Sequence, residues 1–269
     1  MQQKTIKKPV TIEGIGLHSG KFQKVEIFPA EADNGIIING SRLNIEAVNA
    51  EPGCTVFENI MTIEHLLSAL SGIFIDNVNI KCYGCEIPIL DGSSLPIVKL
   101  IEPANLNKSK KIIKVLKKVC FMDENGTTEL LPSKKIIFNI EINYPDTPAI
   151  GYMKKIFELE EENYCKYIAP ARSFARIKDI EYLHKINKAL GASFETGILV
   201  DGDKIVNIEG LRMPDEFICH KILDAIGDLS TAGKTILAEY RSVKGGHYHN
   251  NRLLKILFST SDNYEICTI

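Results

Sequence analysis

The 269-residue chain is predicted to be an α+β protein made of two similar halves, and three observations carry that reading. Each half opens with short alternating segments punctuated by glycine. Each then carries a helical pattern followed by a strand, a loop and a second helical pattern. The order strands, helix, strand, loop, helix therefore occurs twice, which predicts two domains that each lay a pair of helices on a sheet. With 45% hydrophobic and 25% charged residues, the chain has the composition of a globular protein with real cores.

Residues 1–50 are expected to form short strands, because KVEIFPA and IIING alternate and glycines fall at 14, 16, 20, 35 and 40. Residues 62–72 show helical periodicity ending near Gly72. A strand in DNVNIKCYG, the turn PILDGSSLP and a second helix in PIVKLIEP complete the half. The polar, lysine-rich stretch 105–115 (NLNKSKKIIKV) is expected to be a linker, giving domains 1–108 and 109–269.

In the second half, strands are expected within 112–142 and an αβ insertion at about 166–206. A helix over 215–230, a strand in TILAEYRSV, the turn KGGHYHN and a final helix NRLLKILF follow. Gly245 and Gly246 are too short a pair for a phosphate loop and are expected to shape the turn that presents His247.

Charge and cysteine content exclude several classes. A formal net charge of −2 gives no basic field for nucleic acid. No run approaches the roughly 18 apolar residues of a membrane helix, and the N-terminal segment lacks a signal-type apolar core. Seven scattered cysteines, an odd number, suit a reduced cytoplasmic protein, and the lone pair Cys82 and Cys85 is expected to be structural. A monomer is expected.

On the 215–230 helix, His220 and Asp224 are one turn apart on one face, a spacing that suits two ligands of one metal ion. His65 could supply a third ligand and Glu64 a neighbouring base, with a fourth tetrahedral position left for water. At about 100° per residue, Ile218, Ile222, Ala225, Ile226 and Leu229 share the core face, and His220, Lys221, Asp224 and Asp228 lie opposite. On the 62–72 helix, Ile63, Leu66, Leu67 and Leu70 face the core while His65 points away, flanked by Thr62, Ser68 and Ala69. Polar residues opposite an apolar stripe are usually a solvated face. Small neighbours around His65 suit the close approach of another helix instead. If the helices of the two halves pack face to face, His65 meets His220 and Asp224 in the seam.

Seven motifs in order, GIGLHSG, TIEHLLSAL, EIPILDGSSLP, ARSFARIKDIEYL, EGLRMPDEF, HKILDAIGD and GGHYHNNRLL, resemble those of the zinc-dependent UDP-3-O-acyl-N-acetylglucosamine deacetylases of lipid A synthesis. The resemblance implies a two-domain β-α-α-β sandwich whose helix layers pack face to face around the active site. It implies zinc ligands His65, His220 and Asp224, a general base Glu64 and a catalytic histidine, His247, oriented and kept protonated by Asp228. Ser173 stands where the family has a threonine on the oxyanion. Lys221, Phe174, Cys54 and Thr55 fall at substrate-contacting positions, and His18 on the uridine or phosphate side. Lys244 could meet the diphosphate, and the insertion would form a passage for the acyl chain. The implied partner is a nucleotide-sugar lipid precursor.

A His₂Asp set alone would also admit ferrous iron or cobalt. Two rival readings are a zinc amidohydrolase acting on another N-acetyl sugar and a binding module without turnover. Residues 55–62 look short of a hairpin, Arg176 stands where an apolar residue is expected near the passage, and His249 is expected at the surface.

Overall fold

The computed structural model describes residues 1–269. Its two five-stranded sheets share one topology. The N-terminal sheet contains, in spatial order, Val10–Ile15, Phe22–Pro29, Val78–Cys82, Ile36–Ile38 and Ser41–Arg42. The C-terminal sheet contains Val119–Met122, Thr127–Leu131, Glu239–Val243, Ile137–Tyr144 and Gly151–Glu158. Both run first, second, fifth, third, fourth in chain order. In both, the fifth strand is antiparallel to the second and parallel to the third. A parallel pair needs a long crossover, and that crossover carries a helix in each half.

Helix α1 (Glu64–Gly72) and α2 (Leu95–Leu100) belong to the first half. The short α3 (Glu161–Asn163) runs into a π turn, Tyr164–Ile168, and α4 (Ile177–Lys185) lies in the insertion. Helices α5 (Glu216–Ser230) and α6 (His247–Phe258) complete the second half. The main helix–helix contact is α1 against α5. Leu66, Leu67 and Leu70, with Ile63 at the N-cap, are fully buried on one side of α1, and Ile218, Ile222, Ala225 and Ile226 on the matching side of α5. Each of the buried Ile and Leu side chains stabilises the fold by about 1.5–3 kcal/mol.

The opposite faces are buried as well. His65, His220, Asp224 and Asp228 are each no more than 6% exposed, so they line a seam and not a solvated surface. The small residues of α1 make that possible. Gly72 lies against the ring of Tyr164, and the Tyr164 hydroxyl bonds Ser68 (3.0 Å) and Ser94 (2.7 Å).

Four sequence expectations need correction. The stretch 105–115 is not a linker: Pro103–Ser109 pairs with Gln2–Ile6, and Lys111–Val115 lies between Ile236–Leu237 and Tyr264–Thr268. Lys111 and Lys114 face solvent while Ile112, Ile113 and Val115 go inward, so lysine content disguised a strand. Residues 151–158, given no element by the sequence, form the edge strand of the second sheet. The last helix begins at His247, four residues before the expected NRLLKILF, with Gly246 as its N-cap in extended conformation. His249 is buried, its Nε2 3.0 Å from Asp123 Oδ1.

The insertion forms a three-stranded sheet of Phe174–Arg176, Ile198–Asp201 and Lys204–Ile205, with α4 beside it. Arg176 is held by Asp179 (2.6 Å) and Asp146 (3.1 Å), which explains a charge at a place expected to be apolar.

Candidate active site at the helix seam

Ligand-type atoms of His65, His220 and Asp224 all lie within 4.8 Å of one another, and all three residues are buried. His65 Nε2 is 3.7 Å and His220 Nε2 3.3 Å from Asp224 Oδ1. The two rings meet edge to face, 5.1 Å between centroids. The helical spacing of His220 and Asp224 and the face-on packing of α1 together produce this cluster.

The donor set fits a metal ion. His220 Nδ1 lies 3.1 Å from the Ala171 carbonyl, the outer contact that fixes a ligating imidazole and leaves Nε2 for the centre. Burial lowers the His220 pKa to about 3, so the ring is neutral, as a ligand must be. Burial opposes the charge on Asp224, yet His220 and Lys221 hold its carboxyl well below the usual carboxylate range. His65 presents Nε2 to the same centre, 3.7 Å from Asp224 Oδ1, while its Nδ1 on the far side of the ring is buried with no hydrogen-bond partner.

Glu64 precedes His65 on α1 and is 2% exposed. Its Oε2 accepts from the Thr55 amide at 3.0 Å. Burial raises its pKa to about 7, a value suited to accepting a proton near neutrality.

Across the seam, His247 Nδ1 is 2.8 Å from Asp228 Oδ2. Burial works against a charged imidazole here, but Asp228 prevails, with Glu64 and Asp224 adding to it, and the His247 pKa rises to about 10. Asp228 is itself fixed by the Thr55 hydroxyl (2.6 Å) and Asn250 Nδ2 (2.7 Å), and Asn250 Oδ1 accepts from Tyr240 (2.5 Å).

Phe174 packs against Phe217 (4.9 Å) and His220 (6.1 Å), and the Lys221 ammonium sits 5.5 Å above its ring. Lys221 also donates to Asp224 Oδ2 at 2.8 Å. Ser173 and Phe174 enter the wall of a cavity of about 470 Å³, whose other side chains include Ile180, Leu183, Phe194 and Leu199 of the insertion. Arg172 ties this segment to α5 through a buried pair with Glu216 (2.8 Å).

Thus the structure brings together His65, His220, Asp224, Glu64, Asp228, His247, Lys221 and Phe174. Other expected residues are placed differently. Cys54 is fully buried, with its thiol pushed up to about 12 by burial. The Thr55 side chain is buried on Asp228. His18 is buried: its amide donates to Glu86 (2.7 Å), its Nδ1 accepts from the Ala189 amide (3.4 Å), and its ring lines the cavity. Burial lowers its pKa. Lys244 is exposed and its side chain makes no hydrogen bond or ion pair. Asn250 and the double role of Thr55 were missed. Their partner Asp228 is 22 and 173 residues away in sequence, and no local spacing rule links them.

Comparison with known proteins identifies the family. Residues 3–259 match the family model described as UDP-3-O-acyl N-acetylglycosamine deacetylase. A UDP-3-O-acyl-N-acetylglucosamine deacetylase of Aliarcobacter butzleri is 41% identical over 280 residues, 99% of this chain and 93% of that protein. Proteins of the same name from Nautilia profundicola and Aliivibrio fischeri are 40% and 38% identical, over all of this chain and 95% and 94% of theirs.

Proposed function

The chain belongs to the UDP-3-O-acyl N-acetylglycosamine deacetylase family, and on that premise we propose that it is a zinc-dependent hydrolase removing the acetyl group from UDP-3-O-acyl-N-acetylglucosamine. Acetate and the free glucosamine amine are the products, and the reaction is the committed step of lipid A synthesis. The observation that carries this reading is the buried convergence of His65, His220 and Asp224 next to Glu64 and opposite His247.

His65, His220 and Asp224 would hold the metal. Zinc there would supply Lewis acidity, lowering the pKa of water and polarising the acetamide carbonyl. Glu64 takes the proton of the attacking water: the Thr55 amide occupies Oε2, which leaves Oε1 for that task. His247, charged beside Asp228, stabilises the negative charge that develops and passes a proton to the leaving nitrogen. The Ser173 hydroxyl adds a donor to the oxyanion. Lys221 tethers Asp224 and offers its remaining donors to substrate. Phe174 forms the wall at the point where the centre meets the cavity.

The cavity of about 470 Å³ suits the acyl chain, since most of its wall is apolar and it starts at Phe174. The exposed Lys244 is assigned to the nucleotide side, and Cys54 and Thr55 to the wall behind the substrate; His18, read from the resemblance as a nucleotide-side residue, lines the acyl cavity instead. We read the chain as two domains, 1–108 and 109–269, that hold the centre between them, and as a monomer, since every assigned residue comes from one chain. No helix is long and apolar enough to cross a membrane, and all seven cysteines are free thiols, which suits action in the cytoplasm.

Acetate release from the UDP-linked acyl sugar by the zinc-loaded protein tests the proposal. Turnover that UDP inhibits is expected. Turnover indifferent to UDP would point to another N-acetyl sugar, and no release would leave a binding module.

A further inference from the structure

A second cleft opens between the halves, at the C-terminal ends of α1 and α5. It has a volume of about 280 Å³. Three cations line it: Arg42 from the first half, and Lys111 and Lys234 from the second. None of the three forms an ion pair with a carboxylate. The two acids in the same wall are already engaged: Asp33 by Lys108 and Gln3, and Asp76 by Lys110 at 2.8 Å and the Lys4 amide at 2.9 Å.

These cations are not needed to cap the helices. The last-turn carbonyls of α5 accept from Thr231, Ala232 and Gly233, and those of α1 from Ile73, Phe74 and Ile75. Arg42 is positioned, not loose. Its guanidinium donates to the Asp33 carbonyl at 3.0 Å and lies against Gly35, where an added Cβ would stand 3.0 Å from Nη2. Burial, then the charges of Arg42 and Lys111, push the Lys234 ammonium below its ordinary value.

We propose that this cleft binds a small dianion carrying a phosphate group, free or as a small ester, clamped between Arg42 of one half and Lys111 and Lys234 of the other. A cleft lined by unpaired charge of one sign concentrates counter-ions, and a dianion relieves the repulsion among the three cations. Ser71 and Thr235, both hydroxyl-bearing residues, belong to the same lining. A volume just below the 300–1,000 Å³ of drug-sized sites suits a phosphate with few further atoms.

Titration of the full chain with inorganic phosphate and with glycerol phosphate, against chloride at matched ionic strength, tests the site. Saturable binding is expected, with the tighter ligand identifying the source. Lys234→Gln and Arg42→Gln should each weaken it at least about tenfold, while the exposed Lys99→Gln leaves it unchanged. In chloride alone, Lys234→Gln should melt no lower than the wild-type protein, because its loss removes repulsion. Absence of binding, or binding indifferent to both variants, would overturn the proposal. So would a Lys234→Gln variant that melts lower in chloride.

Discussion

Gly227 of α5 lies so close to Glu64 of α1 that a Cβ built on it would stand 2.0 Å from the Glu64 carbonyl oxygen. The two helices meet on bare backbone at the residue that precedes the first candidate ligand. The seam and its chemistry therefore depend on one missing side chain. Gly227→Ala should destabilise the protein by about 1–3 kcal/mol or more through overpacking. Chemical denaturation measures this, and metal content should fall with it because His65 moves with Glu64.

Metal content should separate the ligands from their neighbours. His220→Ala removes a donor whose other nitrogen is fixed by Ala171, so zinc per chain and rate should both fall. His247→Ala should lower kcat with zinc retained. Elemental analysis of the two purified variants, alongside the rate, distinguishes these outcomes.

The rate should follow a bell in pH. Glu64 must be unprotonated to accept a proton, so activity falls as pH drops through about 7. His247 must be protonated, so activity falls as pH rises through about 10. Asp228→Asn removes the carboxylate that sustains the charge on His247. The alkaline limb of kcat/KM should then move to lower pH while the acid limb stays.

Thr55→Val deletes the 2.6 Å hydrogen bond to Asp228 and keeps the amide bond to Glu64. A bond to a buried carboxylate contributes about 1.5–3 kcal/mol, so stability should drop by roughly that amount. As a positioning residue, Thr55 should affect kcat and the alkaline limb more than KM. A pure substrate contact would change KM alone.

Much of this was legible in the chain because it rests on helical periodicity. The apolar positions of 62–72 and 215–230 fixed which faces are core, and the faces left over carry His65, His220, Asp224 and Asp228. The small residues beside His65 signalled a close partner, which proved to be Tyr164 on Ser68 as well as α5. The failures share a cause in tertiary pairing. Lysines 108 to 114 read as a linker, yet their strands are held by partners at both ends of the chain. His249 looked like a surface residue because its acceptor, Asp123, is 126 positions away. Gly245 and Gly246 read as a turn that continues through His247, whereas Gly246 serves as an N-cap and places His247 in the first helical turn, aimed at Asp228.

The most direct test of the central claim is acetate release by Glu64→Ala, with zinc measured in the same sample. A general base contributes about 10²–10⁴-fold. The variant should therefore be slower by at least two orders of magnitude while keeping near-stoichiometric zinc on His65, His220 and Asp224. Full activity in the zinc-loaded variant would contradict the account.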